Sequence, residues 1–257
     1  MHRYFVEVSY KGTNYSGFQV QQNANSIQAE VEKALHTYFR RRFELTGSSR
    51  TDAGVHALQN YFHFDDAAII ISGQDEEEKI LYHLNAILPQ DIVVKSLKQV
   101  AEDAHCRFDA ISRVYQYHIY QHKDPFQTER AWYYPYTLDI DLLQQAADEL
   151  KQHEDFTSFS KRNTQVFTFN CQVIKSQWEQ TAGMYIYSVE ANRFLRGMVR
   201  GLVGTMLQVG RKKKTMDQFK KIIEAKDCTK VDFAVPAHGL YLVNVNYPPK
   251  EFSTKAK

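Results

Sequence analysis

Two kinds of hydrophobic spacing alternate along this chain, and their order limits the folds open to it. Residues 3–10 place Tyr4, Val6, Val8 and Tyr10 at every second position, the period of a half-buried strand. Residues 26–39 carry Ile27, Val31, Ala34, Leu35 and Tyr38 on one stripe of helical period. Asn25 is the expected cap of that helix, with Gln28 three places on. A strand over 59–64 follows. A helix over 75–88, built on Ile80, Leu81, Leu84, Ile87 and Leu88, halts at Pro89, and a strand over 92–98 closes the series. The order β-α-β-α-β predicts a split βαβ arrangement of the ferredoxin-like kind.

A second series starts near residue 100. It comprises a strand over 112–121 with Tyr115, Tyr117 and Ile119 on one face, and a helix over 139–152 after the turn at Asp124-Pro125. A hairpin is expected over 165–179 and 184–191 through Thr181-Ala182-Gly183, then helices over 193–209 and 215–226 and a last strand over 239–247. The expected class is therefore α+β. The expected domains are 1–100 and 101–248, with a Lys-rich tail at 249–257 that should fray.

Composition narrows the class of protein. Hydrophobic residues make up 43% and charged residues 24%, the balance of a soluble globular chain. The longest apolar runs, such as residues 67–71, are far too short to cross a bilayer. The start enters strand alternation with no export pattern, so the expected location is cytoplasmic. Cys106, Cys171 and Cys228 are odd in number and far apart, which argues against a disulfide framework or zinc knuckle and for three small buried hydrophobes. Net charge is only +2, yet cations cluster at 40–42, at Arg193, Arg196 and Arg200, and at 211–214, while acids gather at 75–78. Local basic patches on a near-neutral molecule fit a surface that holds a polyanion; each alone also fits a solvated helix end.

Chemistry concentrates in Arg50-Thr51-Asp52-Ala53-Gly54-Val55-His56-Ala57. One carboxylate stands in a small-residue turn, with a guanidinium two places before it and an imidazole four places after. Such a loop between regular elements is where function usually sits, although Asp in a turn also commonly bonds its own backbone. The helix expected over 193–209 has Arg193, Arg196 and Arg200 beside Gly197, Gly201 and Gly204, opposite an apolar half. Each helical glycine costs about 1 kcal/mol relative to alanine. Either another segment crosses that face closely, or the guanidinium row is aimed at a carboxylate or phosphates.

With these residues in view, the chain resembles the TruA-type tRNA pseudouridine synthases over nearly its whole length. The opening pattern is Tyr10-x-Gly12-x-x-Tyr15-x-Gly17-Phe18-Gln19-x-Gln21, then Ser26-x-Gln28. The catalytic signature is similar to Gly47-Ser48-Ser49-Arg50-Thr51-Asp52-Ala53-Gly54-Val55-His56-Ala57. Further matches are Leu84-Asn85-Ala86-x-Leu88-Pro89, Arg113-x-Tyr115-x-Tyr117, Asp155-Phe156-Thr157-Ser158-Phe159, Phe194-x-x-x-Met198-Val199-Arg200 and Gly239-Leu240-Tyr241-Leu242. Ser48-Ser49 departs from the family's more common small residue and Gly, and Cys106-Arg107-Phe108-Asp109-Ala110 from its more usual Ala-Arg-Phe-Ser-Ala.

The resemblance implies two ferredoxin-like (RRM-like) halves whose mostly antiparallel sheets pack side by side around a central active-site cleft. It implies that uridine is isomerised to pseudouridine in the tRNA anticodon stem-loop, at the family's tRNA positions 38, 39 and 40, by a homodimer. Asp52 would be the catalytic aspartate, Arg200 its cationic partner, and Tyr115 the aromatic covering the target base. Arg50 would displace and replace the flipped nucleotide, and Leu240 would pack on the target base. Thr51, His56, Arg107 and Arg196 complete the expected substrate-binding set, with His56 orienting the turn.

The chemistry suits these residue types. Breaking the bond from uracil N1 to ribose and rejoining through C5 needs no redox change and no group donor. With no P-loop, dinucleotide fingerprint or metal-ligand spacing in the chain, no cofactor or metal is expected. An ionised carboxylate can act as nucleophile or electrostatic partner, and a neighbouring guanidinium favours that charge state. The base must leave its stack, at a cost of a few kcal/mol that an aromatic pocket offsets. Two other classes compete: a non-catalytic RNA-binding module, and a hydrolase with Asp52 as nucleophile, which would want further carboxylates nearby.

Overall fold

The computed structural model describes residues 1–249 except Asn163, Gln165 and Ala182. They divide into two compact units, Met1–Ile111 with the chain from Leu242 onward, and Ser112–Tyr241. No helix among the described residues is long and apolar enough to cross a membrane.

The first unit contains β1 (His2–Tyr10), α1 (Ile27–Phe39), β2 (Thr46–Gly47), β3 (His56–Asp66), α2 (Gln74–Ile87) and β4 (Ile92–Val100). The strands lie in the order β4-β1-β3-β2, and every neighbouring pair is antiparallel. The central strand buries Tyr4, Val6, Val8 and Tyr10, the alternating set that its period demands. Phe5, on the opposite face, is buried too, packed against the rings of Tyr61, His63 and Tyr247. Helix α1 is capped by Ser26, whose Oγ accepts from Ala29 N–H at 3.2 Å, and not by Asn25 as expected. Gln28 does not close a capping box: its carboxamide donates to Leu45 O (2.9 Å) and accepts from Val20 N–H (3.2 Å), tying the helix to two loops. α2 stops as expected, because Leu88 before Pro89 is extended (φ −68°, ψ 150°).

The second unit contains β5 (Ser112–Tyr120), β6 (Trp132–Tyr133), α3 (Ile140–Glu149), β7 (Val173–Thr181), β8 (Met184–Ala191), α4 (Met198–Gly210) and α5 (Met216–Glu224). It also holds the first two residues of β9 (Leu240–Asn246). The order is β5-β8-β7, antiparallel at both pairs, with the short β6 running parallel to β5. Thr215 and Gln218 form a reciprocal capping box at the start of α5.

Two expectations shift here, and two others fall partly on residues outside those described. The hairpin's first arm begins at Val173, not 165, because residues 169–171 are bonded instead to 154–156: Phe156 N–H to Phe169 O (3.1 Å) and Cys171 N–H to Glu154 O (2.8 Å). The expected turn at Thr181-Ala182-Gly183 includes Ala182, and the expected fraying tail includes 250–257; these lie outside the described residues. The helix expected from Arg193 starts at Met198, after a left-handed Gly197 (φ +75°), so Arg193 and Arg196 stand on the preceding loop and only Arg200 is helical.

Candidate active site

Residues 47–57 join β2 to β3, and their backbone is held from several sides. A Cβ on Gly47 would come within 2.3 Å of the Phe18 ring, which stacks on Phe62 of β3 at 4.4 Å between centroids. Ser48 N–H donates to Tyr61 O (2.8 Å). Buried Asn60 donates from Nδ2 to Ser49 O (2.8 Å) and to the Tyr10 hydroxyl (3.3 Å). That hydroxyl shares a 2.8 Å hydrogen bond with Thr51 Oγ1, and Phe18 N–H donates to Thr51 O (3.1 Å). Gly54 (φ +78°) turns the chain, its N–H reaching Tyr15 O (3.4 Å).

Two glycines of the first loop lie directly beneath. A Cβ on Gly17 would sit 3.0 Å from Thr51 O, and one on Gly12 only 2.0 Å from Val55 O. Gly12 N–H also donates to Nδ1 of buried His56 (2.9 Å). With Nδ1 as acceptor, the neutral ring carries its proton on Nε2.

Asp52 is half-buried at the crest of this structure, and Arg50 is exposed beside it. The turn is closed through the main chain, Val55 N–H to Asp52 O (3.2 Å). The carboxylate is not spent on the turn, as a turn-capping Asp would be, and it accepts no hydrogen bond from the described residues of its own unit. A half-buried acid without a local partner, on a loop whose surroundings are fully engaged, is a group kept available.

In the second unit, Tyr115 on β5 is buried, its ring edge-on to Phe194 at 4.9 Å. Arg200, half-buried in the first turn of α4, donates from Nε to Val235 O (2.6 Å). Leu240 opens β9 and is buried. Gly239 before it fits against Tyr117, whose ring would lie 2.6 Å from an added Cβ and whose hydroxyl donates to Pro236 O (2.8 Å). Burial pushes the Tyr117 phenol pKa up; the positive charge of Arg200 opposes this. The helical glycines answer to packing: a Cβ on Gly201 would lie 2.8 Å from the Phe233 ring and one on Gly204 only 2.3 Å from Asp232 O, so the segment around 231–235 crosses that face. Arg196 is exposed.

A family model described as tRNA pseudouridine synthase matches residues 7–109 and 146–248. The chain belongs to the tRNA pseudouridine synthase family. It is 42% identical over 260 aligned residues to a protein of Bacteroides thetaiotaomicron named tRNA pseudouridine synthase A, covering 100% of this chain and 95% of that one. A protein of the same name from Parabacteroides distasonis is 42% identical, with 98% of each chain covered. One from Staphylococcus aureus is 38% identical, covering 95% of this chain and 90% of its own.

Within this family member, several matched motifs are structural. Asp155 Oδ1 accepts from the Thr157 N–H (3.0 Å) and hydroxyl (2.6 Å), while Ser158 Oγ donates to Ile222 O (2.6 Å) and accepts from Asp227 N–H (3.0 Å). These bonds pin 155–159 to the end of α5. The expected basic tracts are partly consumed. Arg41 pairs with Asp66 (2.9 Å), Lys212 with Asp139 (3.1 Å), and Arg211 lies 3.6 Å over the Tyr136 ring. Arg107 is exposed on the turn after β4.

Asn60 and Tyr10 were not anticipated. Tyr10 opens the pattern Tyr10-x-Gly12-x-x-Tyr15-x-Gly17-Phe18, which is the underside of the catalytic-signature loop; Asn60 lies outside every matched motif. Cys106 and Cys171 are buried, but Cys228 is half-exposed, not buried as expected. Among the described residues, one group of metal-capable side chains gathers, His63, His105 and Cys106, with ligand atoms within 4.8 Å of one another. His63 Nδ1 and Cys106 Sγ are 3.2 Å apart, and the thiol lies 3.2 Å from Thr46 O, as hydrogen-bonded core groups do. Burial, with the nearby His105 and Arg3, drives the His63 pKa down to about 4.

Proposed function

We propose that this chain isomerises uridine to pseudouridine in tRNA, in the anticodon stem-loop, with Asp52 as the catalytic carboxylate. Family membership supports the reaction and the tRNA substrate. The observation that carries the residue assignment is the Asp52 carboxylate, half-buried and without a hydrogen-bond donor among the described residues of its own unit, on a backbone clamped by Tyr10, Asn60, Gly12 and Gly17. Clamping confines a reacting group to one geometry, which is where much of an enzyme's advantage over solution lies.

In this reading the β4-β1-β3-β2 and β5-β8-β7 orders belong to two ferredoxin-like halves, an N-terminal half (1–100) carrying the catalytic loop and a C-terminal half (101–248) completing the cleft. Arg200 serves as the cationic partner of the catalytic carboxylate, its guanidinium held by the Val235 carbonyl. Tyr115 covers the flipped base, Leu240 packs on it, and Arg50 takes its place in the stack. Thr51 and His56 fix the loop; Arg107 and Arg196 meet phosphates. The enzyme works as a cytoplasmic homodimer. A hydrolase would need carboxylates beside Asp52; the one metal-capable group among the described residues includes none and is built around His63.

Unmodified tRNA labelled with tritium at uracil C5 tests the reading. The wild-type chain should release tritium to water without added metal, while Asp52→Asn should bind tRNA with unchanged affinity and release none. Release by the variant at near wild-type rate removes Asp52 from the mechanism; a wild-type chain that binds tRNA and never releases tritium is a binding module.

A further inference from the structure

A cavity of about 230 Å³ opens in the first unit between Arg50 and Arg107. Three segments line it: Phe18, Gln19 and Gln28; Leu45, Thr46, Gly47 and Arg50; and the turn after β4 with His105, Arg107 and Phe108. No acidic residue is among them. Phe108 is 72% exposed, unusual for a phenylalanine. Its ring lies 4.2 Å from that of His105, and the Arg107 guanidinium is 5.6 Å from its centroid.

We propose that this groove is a second base pocket, which takes up one unpaired nucleobase of the bound tRNA and stacks it on Phe108. The inference rests on the tRNA reading above. An exposed aromatic face beside an imidazole and two guanidinium groups is the surface that single-stranded RNA bases stack on, and cations beside it meet the phosphates on either side. The volume falls below the roughly 300–1,000 Å³ of pockets that enclose drug-sized ligands, so it suits one planar ring. Gln19, exposed at the rim, forms no side-chain hydrogen bond among the described residues and offers both a donor and an acceptor to a base edge. Arg50 belongs both to this groove and to the catalytic-signature loop, so the nucleotide held here is a near neighbour of the target. Capture of a flanking base would keep the anticodon loop splayed while the target is out of its stack.

The test uses the full-length protein and anticodon stem-loops carrying the fluorescent base 2-aminopurine at one loop position at a time. With wild type, one position should show a fluorescence change distinct from its neighbours. Phe108→Ala should abolish that change and weaken stem-loop binding about 5- to 100-fold, the range for loss of one base–aromatic stack. Phe108→Leu, apolar but unable to stack, should behave like Phe108→Ala, and Phe108→Trp should restore the change. Because the side chain is exposed, the variants should melt as wild type does, and a lower melting temperature would withdraw their binding data in favour of a Gln19→Ala variant, for which the same position should weaken. Unchanged affinity and an unchanged fluorescence pattern in folded Phe108→Ala refute the pocket. A wild-type chain that neither binds the stem-loop nor releases tritium refutes the function itself, a separate result. Loss of the position-specific signal when free uridine monophosphate is added at the stem-loop's own concentration would show a general nucleotide site and overturn the tRNA-specific claim.

Discussion

Replacing Gly12 with alanine should damage catalysis more than any other single methyl group added to the first loop. The added Cβ would sit 2.0 Å from Val55 O, whereas real Cβ atoms keep at least about 3.0 Å, so one of two backbones must move by about 1 Å. Neither can swing away as a side chain would. Val55 N–H closes the turn on Asp52 O, and Gly12 N–H is the donor to His56 Nδ1. Overpacking of this kind costs about 1–3 kcal/mol. Stretching the buried Gly12–His56 bond adds about 1–3 kcal/mol if the donor is left unsatisfied. The variant should thus lose about 2–6 kcal/mol in urea unfolding. A displacement of about 1 Å at a reacting group costs on the order of a hundredfold in rate, so tritium release by the folded fraction should fall that far while tRNA affinity holds. Wild-type turnover in a Gly12→Ala protein within about 0.5 kcal/mol of wild-type stability would refute the claim that the first loop positions Asp52.

Two further outcomes follow from particular side chains. Arg200→Ala should lower kcat at least tenfold with little change in tRNA affinity, and Arg200→Lys should recover little, because the Nε bond to Val235 O aims the guanidinium; weaker tRNA capture with normal kcat would make Arg200 a phosphate contact instead. His63 is held neutral, with a pKa of about 4 against an ordinary 6.5. The unfolded chain therefore takes up a proton between those values that the folded chain refuses. The stability linked to His63 is complete above pH 6.5 and is lost as pH falls through the window to about 4, by about 3 kcal/mol at most. His63→Gln should flatten that part of the stability–pH curve measured by denaturant unfolding; an identical acid slope in the variant would refute the assignment.

The strands and helices of the first unit were legible because each carries a full period of buried residues, as Tyr4, Val6, Val8 and Tyr10 show. Boundaries failed where a tertiary partner outbid local pattern. The Asn25 and Gln28 pair reads as a helix start, but Ser26 takes the cap and Gln28 is drawn to Leu45 and Val20. The apolar stripe over 193–209 runs on through Gly197, which no periodicity argument distinguishes from a helical glycine until its φ of +75° is known. Gly201 and Gly204 announced a close approach but not its source, which is a segment about 30 residues further along the chain.

The catalytic-signature loop shows the same division in reverse. Asp52, Arg50 and His56 could be picked out because their chemistry is unusual in a short turn. What holds them could not, since Tyr10, Gly12, Gly17 and Asn60 act through long-range contacts and two of them act through having no side chain at all. A buried hydroxyl pair, one carboxamide and two glycines hold this loop without drawing on the Asp52 carboxylate. Had a side chain of the same unit been bonded to Asp52, that bond would stabilise the loop only by competing with substrate. Positioning through the backbone avoids the conflict, and it explains why the residues nearest the chemistry are supported by residues that carry none.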